Sequence, residues 1–121
     1  MNLDHCNSHS SFKDKVSMSN LCQEITLPTT PIQDIHDEQG EIALCILSAV
    51  NVGGLNDLSE LENICDLSVR ALEQIIDYQD YPVKAAEVST KKRRSLGIGY
   101  IGLAHYLAKN GVKYSDPKAW D

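Results

Sequence analysis

The spacing of hydrophobic and polar positions along the chain predicts two strands in its first half. Residues 1–20 are polar and rich in Ser, His and Asn, which is typical of an irregular loop. Residues 21–27 alternate apolar and polar side chains before Pro28, so they are predicted to form a short strand. Residues 41–52 are nearly continuously apolar and precede two glycines. This run predicts a strand buried on both faces, with a short helix as the alternative.

Two helices are predicted in the second half. Asp57 and Glu60 have the spacing of a capping box, in which the first side chain caps the helix and the second reaches back. Apolar side chains then recur at helical spacing and predict a helix at 57–80. Its predicted core stripe consists of Leu58, Leu61, Cys65, Ser68, Val69, Leu72, Ile75 and Ile76. A second helix is predicted at 95–110, because Asn110-Gly111 is a usual C-terminal stop.

These elements predict an α/β fold that is incomplete as an independent domain. Two strands and two helices bury too little apolar surface for a stable core. A strand that is apolar on both faces also requires covering elements that this segment does not supply. We therefore expect a piece of a larger α/β structure.

Composition excludes several classes of protein. The chain has 121 residues, of which 42% are hydrophobic, as in folded proteins, and its formal net charge of −6 argues against a nucleic-acid binder. The one basic run, Lys91–Arg94, is interpreted as a solvated helix start or loop. No stretch approaches the roughly 20 apolar residues of a membrane span, and the N-terminus lacks the apolar core of a signal peptide. We expect no membrane association and a cytoplasmic location.

The cysteines are expected to stay reduced in that compartment and to serve as packing residues, metal ligands or redox catalysts. There are four: Cys6, Cys22, Cys45 and Cys65. The residues weighed as zinc ligands beside a further cysteine are His5, Cys6, His9 and His36. No CxxC pair is present and these spacings match no common zinc module, so no metal is expected on this chain.

A glycine-rich run offers a competing interpretation. Gly97–Gly102 fits the GxGxxG pattern of dinucleotide-binding turns, which follow a strand. Residues 91–95, which precede it, do not have the pattern of a strand. The glycines are therefore interpreted as positions of close helix packing.

Cys22 lies between an amide and a carboxylate in the sequence. If 21–27 is extended, Asn20, Cys22 and Glu24 point to one face, each about 7 Å from the next. A carboxylate there can act as a general base and an amide can hold a hydroxyl. Cys45 could face the same space from the second strand. On spacing alone packing remains the commoner role, because cysteine is among the most buried residue types.

The residues around Cys22 carry a resemblance to a known family. Ser19–Ile25 (SNLCQEI) resembles the active-site loop of class I ribonucleotide reductase large subunits, and Asp4–Ser10 is similar to the family's approach to it. Three further blocks match in order and spacing, namely Gly40–Cys45 (GEIALC), Asp77–Pro82 (DYQDYP) and Arg94–Gly99 (RSLGIG). The resemblance covers essentially the whole chain, and several ordered blocks are more specific than any single motif.

The resemblance implies a place within a ten-stranded α/β barrel, with 21–27 as its active-site loop or strand. Cys22 matches the cysteine whose thiyl radical takes hydrogen from C3′ of the substrate ribose. Glu24 matches the carboxylate that accepts the 3′-hydroxyl proton, and Asn20 matches the amide that orients Glu24 and substrate hydroxyls. Cys45 matches one half of the redox-active disulfide, with its partner outside this chain. The residues expected to line the substrate are Asn20, Leu21, Cys22, Gln23 and Glu24.

The resemblance also implies partners and a cofactor held elsewhere. The partners are the remainder of the large subunit, a small subunit that generates the radical at a dinuclear metal centre, and thioredoxin or glutaredoxin. The substrate class is ribonucleoside diphosphates, and this chain is expected to bind no cofactor directly and to be inactive alone. The alternative is a non-catalytic remnant that acts as a protein-interaction module. The four retained site residues favour the enzyme segment.

Overall fold

The computed structural model of the protein describes residues 15–119. Its strands are β1 (Val16–Ser19), β2 (Thr26–Pro28), β3 (Ile46–Asn51) and β4 (Leu96–Ile101), and its α-helices are α1 (Leu61–Tyr78), α2 (Lys84–Arg93) and α3 (Leu103–Lys109). Short 3-10 turns cover Val52–Gly54, Leu58–Glu60 and Pro117–Ala119. These residues divide into two compact units, the first formed by 15–46 and 73–97 and the second by 47–72 and 98–119. Within 15–119, no helix is both long and apolar enough to cross a membrane.

The first unit contains a hairpin of β1 and β2. The strands pair antiparallel, with Ser19 opposite Thr26 and an irregular register between Val16 and Met18. Val16 and Leu27 are buried. Beyond β2 the chain pairs once more, because Thr30 and Glu41 form an isolated antiparallel bridge. This bridge closes the acidic loop 31–40.

The hairpin corrects two expectations about the N-terminal third. The strand expected at 21–27 is a turn at 20–25 followed by β2, because Gln23 adopts a left-handed φ of +63° and breaks the extended run. Within the loop expected at 1–20, residues 16–19 form β1, whose pattern VSMS is too short and polar to predict a strand. Residues 1–14 lie outside the described part of the chain.

The second unit is built around a small apolar core. Val50, Val52 and Leu55 are buried together. The side chains packed against them belong to Leu61, Ile64, Cys65, Ile98, Leu103 and Tyr106. The strand expected at 41–52 is shorter, since β3 covers Ile46–Asn51 and pairs with β4. In the chain alone one face of β3 is uncovered, because Leu47 and Ala49 are exposed while Val50 is buried, in keeping with covering elements that this segment does not supply.

Helix α1 lies within the predicted range 57–80. The predicted capping box is present, with Ser59 N–H donating to Asp57 Oδ1 at 2.8 Å and Asp57 N–H donating to Glu60 Oε1 at 3.2 Å. A 3-10 turn, Leu58–Glu60, precedes the α-helix proper. The buried face is narrower than the predicted stripe, because Leu72 and Ile76 are buried while Leu58, Val69 and Ile75 are exposed.

The helix expected at 95–110 divides into a strand and a helix. Gly102 has φ +76°, which ends β4 and begins α3 one residue later, so only the second half of the range is helical. The stop at Asn110-Gly111 agrees with the structure. Helix α2 was not expected, because it has no apolar stripe. Its buried positions carry small side chains, namely Ala85, Ala86, Ser89 and Thr90.

Gly102 also lies at a close backbone approach within the second unit. A Cβ on Gly102 would lie 2.5 Å from Asn51 Oδ1 and 3.0 Å from Gly53 N. A Cβ on Gly53 would lie 2.8 Å from Gly102 O. The first two glycines of the GxGxxG run, Gly97 and Gly99, lie inside β4 rather than in a turn after a strand. The third glycine therefore serves packing, and the run lacks the strand–turn–helix context of a dinucleotide site.

We expect Gly102→Ala to destabilise the chain by about 2 kcal/mol or more, since it adds a left-handed alanine and a steric overlap. Gly99→Ala is the matched control, because a Cβ there meets no heavy atom within 4 Å. The control should change stability by less than about 1 kcal/mol. Urea unfolding measures both variants, and equal midpoints for the two would contradict the packing role of Gly102.

Candidate active site

The Cys22 loop joins β1 to β2 and is closed by Asn20. Asn20 N–H donates to the Ile25 carbonyl at 3.3 Å, and Ile25 N–H donates to Asn20 Oδ1 at 3.0 Å. Gln23 N–H donates to the Asn20 carbonyl at 3.0 Å. One residue thus holds both ends of the turn through its backbone and its side chain.

The turn exposes the side chains expected to do chemistry. Cys22 and Glu24 are exposed, and Leu21 is 99% exposed. Between the two reactive side chains, Gln23 adopts its left-handed conformation. The expectation that strand alternation aligns Asn20, Cys22 and Glu24 is therefore wrong. The turn itself determines how these groups are presented.

Cys45 lies directly before β3 and is half-buried. Burial raises the pKa of the Cys45 thiol, and electrostatic interactions with Glu24 and with Cys22 raise it further. Both side chains therefore lie close enough to Cys45 to interact with it electrostatically. The first unit brings together a carboxylate and two thiols, and Cys45 is held in its protonated form at neutral pH. The described cysteines Cys22, Cys45 and Cys65 are all free thiols.

The direction of the backbone explains why Cys45 returns to the Cys22 loop. In the antiparallel bridge between Thr30 and Glu41, each step forward on one segment corresponds to a step back on the other. Cys45 lies four residues after Glu41, and Thr26 lies four residues before Thr30. The chain after Glu41 therefore runs back in the direction of the Cys22 loop.

A buried ion-pair cluster that the sequence analysis missed lies at this bridge. The Glu41 carboxylate is buried and contacts Arg93 Nη1 at 2.7 Å and Lys92 Nζ at 2.8 Å. Burial alone would raise the pKa of Glu41, but hydrogen bonds and charges from Lys92 and Arg93 outweigh it and hold the pKa below its usual value. A carboxylate that opens an apolar run was the available signal, because such a group requires a cation.

The basic run is therefore not a free solvated segment. It forms the end of α2, where Lys91 contacts Glu87 at 2.8 Å. Arg94 binds Glu73 and donates to Asp77 Oδ1 from Nη1 at 3.0 Å, and these hydrogen bonds raise the pKa of Arg94. The interpretation as a solvated helix start or loop is wrong for Arg93 and Arg94. Charge pattern alone did not reveal the carboxylates, which come from distant parts of the sequence.

Within 15–119, no group of three or more His, Cys, Asp or Glu side chains is placed to hold a metal ion. His36 lies exposed in the loop 31–40. The other candidate ligands considered, His5, Cys6 and His9, lie outside the described residues.

Comparison with known proteins identifies the family. The family model described as "Ribonucleotide reductase, barrel domain" matches residues 1–121, so the chain belongs to this family. It is 60% identical over 123 residues to the ribonucleoside-diphosphate reductase subunit alpha of Haemophilus influenzae, covering 99% of this chain. It is 58% identical over 120 residues to the subunit of the same name from Buchnera aphidicola subsp. Schizaphis graminum, covering 97% of this chain.

A third relative is the ribonucleoside-diphosphate reductase 1 subunit alpha of Escherichia coli. It is 55% identical over 121 residues, and the match covers 98% of this chain. The chain spans 16% of the length of each of these three relatives. The described part, with its mixed strands and helices, is accordingly a segment of a barrel domain.

We expect Glu24→Gln to speed alkylation of Cys45 by iodoacetamide about two- to threefold at pH 8. Removing the carboxylate charge lowers the pKa of Cys45, so more thiolate is present at that pH. Site-resolved mass spectrometry separates Cys45 from the other cysteines. Glu38→Gln, which removes an exposed carboxylate in the loop 31–40, is the control and should leave the rate unchanged. Identical Cys45 rates in both variants would refute the interaction with Glu24.

Proposed function

We propose that this chain is the segment of a ribonucleoside-diphosphate reductase alpha subunit that carries the radical cysteine, Cys22. The observation that carries the proposal is the grouping of Cys22, Glu24 and Cys45 in one unit of a chain that belongs to the ribonucleotide reductase family. The names of the relatives support ribonucleoside diphosphates as the substrate class. The activity is the oxidoreductase step that makes deoxyribonucleotides for DNA synthesis.

In the proposed reaction Cys22 acts first, as a thiyl radical. It takes the hydrogen atom from C3′ of the ribose and becomes a thiol, which leaves the unpaired electron on C3′. Glu24 accepts the proton of the 3′-hydroxyl, which promotes departure of the 2′-hydroxyl as water. The exposed position of both side chains on the turn supports direct contact with a substrate.

Cys45 completes the reduction in this proposal. Cys45 and a second cysteine outside this chain together supply two electrons and two protons, and a disulfide forms between them. Glu24 returns the proton to the 3′-oxygen, and Cys22 returns its hydrogen atom to C3′ and is again a thiyl radical. The raised pKa of Cys45 supports this role, because a thiol that donates hydrogen must stay protonated at neutral pH.

Asn20 and the backbone of the turn are assigned to substrate binding. The Asn20 side-chain oxygen accepts from Ile25 N–H, so its NH2 group is the part that would donate to Glu24 or a substrate hydroxyl. The backbone of Asn20, Leu21, Cys22, Gln23 and Glu24 would line the nucleotide. The exposure of Leu21 supports this assignment, since an apolar side chain gains by being covered.

The partners in this proposal supply what the segment does not carry. The remainder of the alpha subunit would complete a ten-stranded α/β barrel around the Cys22 loop. The radical would come from a small subunit with a dinuclear metal centre, and thioredoxin or glutaredoxin would reduce the disulfide again. Exposed apolar side chains in the described part support burial against further protein, among them Leu47, Leu67, Tyr78 and Tyr100. Reversible thiol chemistry of this kind implies a reducing location such as the cytoplasm.

In the full-length subunit assembled with its small subunit, Cys22→Ser should abolish reduction of ribonucleoside diphosphates. We expect the rate of reduction to fall by at least about 1000-fold. The serine O–H bond is stronger than a thiol S–H bond, so serine cannot carry the radical. Chromatography of deoxynucleotide products measures turnover, and equilibrium dialysis should give unchanged substrate binding. Cys65→Ala, on helix α1 in the second unit, is the control and should retain activity. Turnover by Cys22→Ser would refute the radical role.

The 121-residue chain alone should reduce no ribonucleotide, because the partner of Cys45 and the radical source are assigned to other polypeptide. The assay adds substrate and a dithiol reductant to the purified chain and measures deoxynucleotide formation. Turnover without other polypeptides would contradict the proposal that other polypeptide supplies the partner of Cys45 and the radical source.

Stable binding to fragments that carry the missing strands supports the enzyme segment. A monomer that binds no such fragment supports the non-catalytic interaction module.

A further inference from the structure

Glu41 links three parts of the first unit. Its backbone pairs with Thr30, with Glu41 N–H donating to the Thr30 carbonyl at 2.9 Å and Thr30 N–H donating to the Glu41 carbonyl at 3.2 Å. The Thr29 hydroxyl also donates to the Glu41 carbonyl. Its side chain binds Lys92 and Arg93 at the end of α2. Three segments therefore meet at this residue: the residues just after β2, the segment that leads to Cys45, and the end of α2.

The contact with Arg93 is the most enclosed of these links. The Arg93 and Glu41 side chains are 7% and 8% exposed, whereas Lys92 is 55% exposed. A buried carboxylate requires a compensating charge, and a buried guanidinium likewise requires an anion. Separating the two side chains would remove the closest buried countercharge that each has in this pair. The Glu41–Arg93 ion pair therefore holds the backbone at residue 41 in one place relative to α2.

Among residues 15–119, one backbone hydrogen bond to α2 supports the segment between Glu41 and β3. Residues 42–45 belong to no helix or strand, and Ile42 N–H donates to the Ala85 carbonyl of α2 at 3.1 Å. Cys45 is the last residue of this segment. Its position is set by the anchor at residues 41 and 42 on one side and by β3 on the other. A change at the anchor would be transmitted over four residues.

We propose that Glu41, through its buried ion pair with Arg93, is a positioning residue that sets the place of Cys45 relative to Cys22 and Glu24. This inference rests on the proposed function for its catalytic meaning. Glu41 contacts neither substrate nor a reacting atom, and it acts through the segment 42–45. Loss of the pair shifts Cys45 away from its place while the Cys22 loop, closed by Asn20 and Ile25, stays formed.

The catalytic test compares two steps in the full-length subunit assembled with its small subunit. With substrate tritiated at C3′, the tritium that the Cys22 thiol exchanges with water before it returns hydrogen to C3′ reports hydrogen abstraction, and deoxynucleotide formation reports delivery of electrons by Cys45. We expect Glu41→Gln to lower product formation at least tenfold and tritium release less than threefold. A ratio of product formation to tritium release equal to that of the wild-type protein would overturn the proposal. Loss of both steps to the same extent would also count against it.

A second readout does not depend on activity. In the same proteins the pH dependence of Cys45 alkylation should move to lower pH in Glu41→Gln, because the thiol leaves its buried place beside Glu24. Labelling of Cys65 should not change, whereas general unfolding would speed labelling of Cys65 as well. Glu87→Gln is the matched control, because Glu87 binds Lys84 and Lys91 on the same helix without contacting Glu41. An unshifted Cys45 profile in Glu41→Gln would overturn the proposal.

A double variant keeps the test decisive if Glu41→Gln does not fold. Glu41→Gln combined with Arg93→Met removes both buried charges, and such paired replacements preserve folding better than removal of one partner. The double variant should show the same loss of product relative to tritium release. A folded double variant with wild-type values would show that the ion pair does not position Cys45. Failure of the proposed function is distinguishable, since Cys22→Ser would then remain active.

Discussion

The buried carboxylate of Glu41 must be neutralised, and this requirement constrains how the first unit folds. Removing a carboxylate from water is costly unless cations and hydrogen-bond donors replace the water, and Lys92 and Arg93 supply both. The cations lie at the end of α2, and Glu41 lies at the bridge to Thr30. One electrostatic requirement therefore joins the helix to the hairpin that carries the Cys22 loop.

The turn that carries Cys22 depends on short-range hydrogen bonds rather than on a sheet. Asn20 closes it with its backbone and side chain, and Gln23 adopts a left-handed conformation that costs about 1 kcal/mol or more for a residue with a Cβ. A turn of this kind presents Cys22 and Glu24 to solvent, where a regular strand would have directed alternate side chains into a sheet. The reactive groups are thus held by a closed local structure next to a more deeply anchored segment that carries Cys45.

Small residues have different uses in the two units. In the first unit, small side chains such as Ala85 and Ser89 fill the buried face of α2. In the second, Gly53 and Gly102 permit a backbone approach that no Cβ would allow. Neither use follows a hydrophobic periodicity, which explains why α2 and the strand–helix division at Gly102 were not predicted. The pattern of apolar residues indicates large-side-chain packing and carries no information about close packing of small residues.

The sequence by itself determined the capping box at Asp57 and Glu60, the helix behind it and the family to which the chain belongs. These features depend on residues close in sequence or on ordered motifs, so they can be read before any fold is known. The tertiary structure alone decided that Cys45 comes near Glu24. It also decided that Glu41 is buried with Arg93. These last facts depend on segments about 20 to 50 residues apart, whose contacts follow from chain direction and burial rather than from local pattern.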